Sequence, residues 1–117
     1  MRIAKAIATM AKKYGNKISI IAAGEQWSDK SLRVAFEDLV GAGAIISYLN
    51  KNLSPESKAA LTIFENTKTT LMEDIKKCSS GKELIDRGFE KDILLACDLN
   101  SSDNVPVLID NYFVGRF

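Results

Sequence analysis

Apolar residues recur at helical spacing along most of this chain and predict about five helices. The predicted helices cover residues 2–14, 32–49, 55–78, 80–88 and 89–99. Gly15 ends the first of them, and Ser54 followed by Pro55 supplies an N-cap and a first helical residue for the third. Ser80, with Glu83 three residues later, matches a capping box and opens the fourth.

Two stretches have the β-branched and aromatic pattern of strands. Residues 18–23 predict a buried strand, and residues 105–114 predict a closing hairpin with its turn at Asp110 and Asn111. A helix that runs into a buried strand is typical of an α/β unit, although such units usually present the strand first. We therefore expect the chain to begin after a preceding strand, and we predict one α/β domain with a small sheet over residues 1–117.

The middle of the second predicted helix contains Gly41 and Gly43 within a Gly-Ala-Gly-Ala run. Each glycine costs a helix roughly 1 kcal/mol relative to alanine, so the run weakens the helix on its own. Small residues at such a place usually allow another backbone or a ligand to approach closely. The sequence therefore predicts a tight contact at this point of the helix.

Composition excludes several functional classes. The 117 residues include 16 basic and 15 acidic side chains and no histidine. A balanced charge argues against a nucleic-acid-binding surface. Without histidine, the chain cannot hold a Ser-His-Asp triad or an HExxH zinc site, and oxygen ligands favour Mg²⁺ as the metal. Cys78 and Cys97 are interpreted as reduced, half-buried thiols. No apolar stretch is long enough to cross a membrane. From these two observations we expect a cytoplasmic protein.

Three clusters of residues could carry chemistry. Glu25 follows the predicted strand, where open α/β sheets bind ligands, although a loop glutamate is more often simply solvated. Glu37 and Asp38 lie about 100° apart on a helix, so one can face a cleft while the other binds backbone; a solvated helix face is the alternative. Ser80 and Gly81 could offer free N–H groups to an anion, or they could form a capping box and nothing more.

Taken in order, these segments resemble the C-terminal part of the 2-phosphosulfolactate phosphatase family. The matching residues are 22–25, 31–33, 37–46, 53–56, 78–85, 87–89 with 92, and 105–108. Members of that family are longer, and their N-terminal part carries an Asp-Val-Leu-Arg-Ala-Thr-like and a Thr-Asn-Gly-Thr-like segment. Neither segment occurs in this chain.

The resemblance implies a Mg²⁺-dependent phosphatase with an α/β fold that hydrolyses 2-phospho-3-sulfolactate, a step of coenzyme M biosynthesis in some methanogens. Carried onto this chain, Glu25, Glu37 and Asp38 are the candidate catalytic residues, and the last two are also the candidate metal ligands. The candidate substrate contacts are Arg33, Ser80 and Gly81.

The expected partners are a small phosphorylated sulfonate or carboxylate and either a second copy of the chain or a missing N-terminal partner, with no nucleic acid and no membrane. The alternative is a non-catalytic fragment or interaction module that keeps the family core and self-associates through an exposed sheet edge.

Overall fold

The computed structural model describes residues 1–49 and 52–117, which are mainly helical. The described helices are α1 (Ala4–Tyr14), α2 (Phe36–Ile46), α3 (Pro55–Thr67), α4 (Leu71–Lys77), α5 (Ser79–Asp86) and α6 (Glu90–Cys97). The described strands are β1 (Glu25–Gln26), β2 (Leu32–Arg33), β3 (Val105–Ile109) and β4 (Tyr112–Arg116). They form two antiparallel sheets of two strands each, β1–β2 and β3–β4. The predicted α/β class is confirmed, with six described helices instead of about five and two small sheets instead of one.

The core forms around α2, because this helix is apolar on most of its surface. Val40 and Ala44 of α2 are fully buried and pack with Phe64 of α3 and Ile93 of α6. Gly43 allows α3 to come close, since a Cβ atom at this position would lie 2.2 Å from the carbonyl oxygen of Ala60. The tight contact predicted from the Gly-Ala run is thus confirmed, and the described residues form a single compact domain.

The buried strand predicted over residues 18–23 is wrong. The segment has no regular secondary structure, and Ile21 is 88% exposed. β-Branched residues form a strand where a neighbouring strand takes up their backbone hydrogen bonds. Within the described residues no strand lies beside this segment, and Ile20 to Ala23 instead form one wall of a cleft.

Two helix boundaries also differ from the prediction. The second helix begins at Phe36, because Leu32 and Arg33 pair with β1 as strand β2. The predicted helix 55–78 is two helices, α3 and α4, separated at the Thr-Lys-Thr-Thr run 67–70. Threonine has low helix propensity and its hydroxyl competes for backbone partners, as the Thr67 hydroxyl does by donating to the Ile63 carbonyl at 2.7 Å. The predicted cap of α3 is confirmed.

The predicted closing hairpin is confirmed as β3–β4. Its two-residue turn holds Asp110 and Asn111 at φ values of +48° and +66°, the left-handed conformation that a type I′ turn requires. In the described ranges, no helix is both long enough and apolar enough to span a membrane.

Candidate functional site

The β1–β2 hairpin places Glu25 and Arg33 opposite each other. Asp29 holds the turn, because its carboxylate accepts hydrogen bonds from the Ser31 hydroxyl at 2.6 Å and the Ser31 N–H at 2.9 Å. These two bonds lower the pKa of Asp29. The turn thereby fixes where Trp27 and Arg33 stand relative to each other.

Arg33 is the centre of the site. Its two terminal nitrogens donate to the carboxylate oxygens of Glu83 on α5 at 2.6 and 2.9 Å, and its guanidinium carbon lies 5.3 Å from the centre of the Trp27 ring. The side chain is only 11% exposed, and its Nε has no hydrogen-bond partner within residues 1–49 and 52–117. The bond to Glu83, and then the nearby charges of Glu25 and Glu37, raise the pKa of Arg33. The same bond lowers the pKa of Glu83.

Glu37 and Asp38 stand side by side in the first turn of α2 and do different things. Asp38 Oδ2 accepts the N–H of Gly24 at 2.7 Å, which ties the start of the β1–β2 hairpin to the helix. Glu37 Oε2 lies 3.7 Å from the thiol of Cys78. One carboxylate thus binds backbone while its neighbour faces another group, as the helical spacing predicted.

A cleft of about 380 Å³ opens beside these two carboxylates. Glu37 and Asp38 line it together with Gly41, one turn further along α2. The rest of the lining is apolar: it comes from residues 20–23, from Ala42 and Ile45 of α2, from Ala96 of α6, and from Met1, Ile3, Ala4 and Ile7. The cleft therefore combines a mostly apolar wall with two acidic groups.

Ser80 and Gly81 do not have the expected geometry. The N-cap of α5 is Cys78, so Ser80 lies inside the helix and the predicted capping box is wrong. The N–H of Gly81 donates to the Cys78 sulfur at 3.4 Å instead of being free for an anion. Burial raises the pKa of Cys78, so the thiol stays protonated at neutral pH. The role of Ser80 and Gly81 in binding substrate stays a prediction.

The structure gathers Glu25, Arg33 and Glu37 into one cluster and adds a residue that the sequence argument missed. Glu83 had been assigned to the capping box, yet it is the hydrogen-bonded partner of Arg33. Arg33 and Glu83 are 50 positions apart in the sequence, so no sequence motif could indicate this contact. Asp38 joins the cluster through the hairpin backbone at Gly24.

The acidic groups fit a Mg²⁺ ion only if the ion takes few protein ligands. No three Cys, Asp or Glu side chains within residues 1–49 and 52–117 come together as a metal site. Mg²⁺ usually keeps several waters and uses one or two carboxylates together with substrate phosphate. Glu37 and Asp38 supply two carboxylates, and the bond to Gly24 uses only Oδ2 of Asp38. This donor set suits a Mg²⁺ ion that is completed by substrate and water.

Comparison with known proteins identifies the family. The family model described as 2-phosphosulpholactate phosphatase matches residues 1–111. The chain belongs to the 2-phosphosulpholactate phosphatase family. Proteins named "Probable 2-phosphosulfolactate phosphatase" from Thermotoga petrophila and Thermotoga maritima are 38% and 39% identical to it over 84 residues, which are 70% of this chain and 37% of each relative. The protein named "2-phosphosulfolactate phosphatase" from Methanocaldococcus jannaschii is 40% identical over 73 residues, 62% of this chain and 31% of that protein.

The matches thus cover about a third of the length of these family members. No solved structure shows a significant match to the chain. The predicted family resemblance is confirmed, and its assignment to the C-terminal part of the family stays a prediction.

Proposed function

We propose that this chain contributes to a Mg²⁺-dependent phosphatase that hydrolyses 2-phospho-3-sulfolactate or a similar small acidic phosphate ester. The observation that carries the proposal is the family match over residues 1–111. Three relatives whose names contain this activity support it. In organisms that make coenzyme M the reaction would belong to that pathway, and the two free cysteines fit a reducing cytoplasm.

The charge of the site supports a need for a divalent cation. Three carboxylates, those of Glu25, Glu37 and Glu83, act on the guanidinium of Arg33, and Arg87 is a second cation near Glu83. A substrate that carries both a phosphate and a sulfonate or carboxylate would be repelled by this excess of negative charge. Glu37 and Asp38 would hold the ion, and bound Mg²⁺ would supply neutralisation of the phosphate oxygens and activation of a water.

Arg33 would orient the anionic substrate. Its guanidinium plane is set by the two bonds to Glu83 and by the Trp27 ring, so the group is held in place before substrate arrives. A preorganised cation stabilises developing negative charge without the cost of reorganising during the reaction.

The test is phosphate release from 2-phosphosulfolactate by the purified chain, first with Mg²⁺ and then with EDTA. We expect turnover that EDTA abolishes and that Glu37→Gln and Asp38→Asn each reduce by about 100-fold or more. Glu73→Gln is the matched control, because Glu73 is an exposed carboxylate whose ion-pair partner among the described residues is Lys77, at 3.8 Å. Turnover that survives EDTA would contradict the metal requirement.

A second function, that of an interaction module without catalysis, is favoured by the exposed apolar strand β4. In this case a folded sample would bind no Mg²⁺ and release no phosphate, yet it would associate through a sheet edge. Titration with Mn²⁺, followed by its paramagnetic resonance signal, separates the two functions without relying on turnover. Loss of Mn²⁺ binding in Glu37→Gln, but not in Glu73→Gln, would support the phosphatase.

A further inference from the structure

The outer strand of the closing hairpin, β4, is exposed along its whole length. Tyr112 and Phe113 are 76% and 75% exposed, and in the part of the chain that the structure describes β4 pairs with β3 and with no strand on its other side. An isolated two-stranded hairpin is at best marginally stable in water, and a free apolar edge invites another strand to pair with it. Among the described residues, this outer edge of β4 is therefore a free strand edge that a further strand can pair with.

The two edges of the hairpin differ in their ability to accept a further strand. The two-residue turn is closed by the pair Ile109–Tyr112, which is hydrogen-bonded in such hairpins. Hydrogen-bonded and non-bonded pairs then alternate along the ladder, so Pro106 of β3 and Gly115 of β4 form a non-bonded pair. Pro106 thus faces the outer edge of β3, where its missing N–H blocks pairing.

The outer edge of β4 carries no such block. By the same alternation, the backbone N–H and C=O groups of Phe113 and Gly115 point away from β3. These two residues are separated by one position, Val114. An antiparallel copy of β4 that is centred on Val114 therefore brings Phe113 opposite Gly115, and both are hydrogen-bonding positions.

We propose that two copies of this chain associate through β4, antiparallel and with Val114 on the two-fold axis. The sheet then has four strands in the order β3–β4–β4–β3. Phe113 of each copy exchanges backbone hydrogen bonds with Gly115 of the other, and the two Val114 side chains meet at the axis. The proposal does not depend on phosphatase activity.

The side chains of β4 are complementary to themselves in this register. Tyr112 of one copy faces Arg116 of the other, at both ends of the paired strands. A guanidinium against an aromatic ring is a favourable cross-strand pair, and valine against valine is an apolar one. A closed two-fold arrangement uses the same surface on both copies, so it consumes the free edge completely. For this reason we assign the edge to a second copy and not to an unrelated protein.

The first test compares Phe113→Pro with Leu108→Pro by sedimentation equilibrium over a concentration series. Leu108 is the matched control, because it is paired with Phe113 in the ladder and directs its own N–H to the opposite, β3 edge. We expect the wild type and Leu108→Pro to have twice the monomer mass, and Phe113→Pro to dissociate with a Kd raised about 10-fold or more. A monomeric wild type, or equal dissociation of both variants, would overturn the proposal.

The second test addresses the register and does not rely on proline. Val114→Lys and Val114→Asp each place like charges directly opposite on the axis, so each variant alone should be monomeric. Mixed in equal amounts, they should form a heterodimer, provided that far-UV circular dichroism shows both to be folded. If the mixture stays monomeric while the wild type is dimeric, Val114 does not lie on the axis and the proposal fails.

Discussion

At the scale of single residues, the contact between Arg33 and Glu83 changes how the site is interpreted. From the sequence, Arg33 was a candidate anion contact and Glu83 was half of a capping box. In the fold, Glu83 accepts from two of the five N–H groups of Arg33, one on each terminal nitrogen, so an anion must use the three remaining donors or compete with this carboxylate. Residue types alone identified Arg33 as notable, but they could not supply its partner.

Replacing Glu83 with glutamine should change how stability depends on pH. The pKa of Glu83 is lowered below its ordinary value of 4.5 by the bonds from Arg33. A lowered folded-state pKa means that the pair stabilises the fold above the unfolded pKa, and that this stabilisation disappears as pH falls through the lower, folded pKa. The wild-type Tm should therefore fall more steeply than the Glu83→Gln Tm from about pH 5 to pH 3, and it should be higher at neutral pH.

The measurement is a series of calorimetric melts across that pH range. Glu73→Gln serves as the control, since its carboxylate is exposed and makes a long contact with Lys77. If the pH curves of wild type and Glu83→Gln ran parallel, the ion pair would contribute nothing to the fold.

At the scale of elements, two predictions that rest on residues close together in the sequence are confirmed, whereas the strand prediction that required a neighbouring strand is wrong. The N-cap at Ser54 and the turn at Asp110 and Asn111 are fixed by residues close in sequence, and the structure confirms them. The predicted strand 18–23 needed partner strands that residue patterns cannot supply. The break between α3 and α4 follows from the threonines at 67–70, a local signal that the apolar periodicity concealed.

The packing of α2 against α3 gives a prediction with its own control. Gly43→Ala would place a Cβ atom 2.2 Å from the Ala60 carbonyl oxygen, so the helices must move apart. We expect the free energy of unfolding to fall by about 2–4 kcal/mol, as for other forced overpacking. Gly41→Ala, whose Cβ would meet only Met1 at 3.8 Å, should leave stability unchanged or raise it by up to about 1 kcal/mol through helix propensity.

Urea denaturation of the two variants checks this prediction. Both substitutions add the same methyl group to the same helix, so the difference between them isolates the contact with α3. Equal effects in the two variants would mean that α3 can yield at this point without cost.

At the scale of the whole molecule, the candidate site exists only because three elements meet. The β1–β2 hairpin carries Arg33, the first turn of α2 carries Glu37 and Asp38, and α5 carries Glu83. The sequence predicted the first three of these residues as site residues, because carboxylates near glycines are recognisable by type and because Arg33 lies in a segment that resembles the family. Their assembly depends on how α2 packs with α5, which no spacing along the chain encodes.

Asn100 offers a test of how the two ends of the chain are joined. Its side-chain oxygen accepts the N–H of Lys5 in α1 at 2.8 Å, and its amide nitrogen donates to the Tyr48 hydroxyl at 2.8 Å. Its φ of +56° is also a conformation that alanine adopts at a cost. Asn100→Ala should therefore lower the free energy of unfolding by about 2–4 kcal/mol, and Asn100→Gly by about 1 kcal/mol less, because glycine takes this φ without strain.

The control is Asn66→Ala, because Asn66 is exposed and its described side-chain bond stays within its own helix, from its amide nitrogen to the Thr62 carbonyl at 2.8 Å. Thermal melts followed by circular dichroism should show a single transition for every variant, since Asn100 joins elements that share one core. A separate early transition in Asn100→Ala would instead mean that α1 detaches while the rest stays folded. An Asn100→Gly variant as stable as wild type would show that the two side-chain bonds do not contribute, and that the remaining contacts between the ends, which include the bond from the Met1 amino group to the Ala96 carbonyl, hold them together.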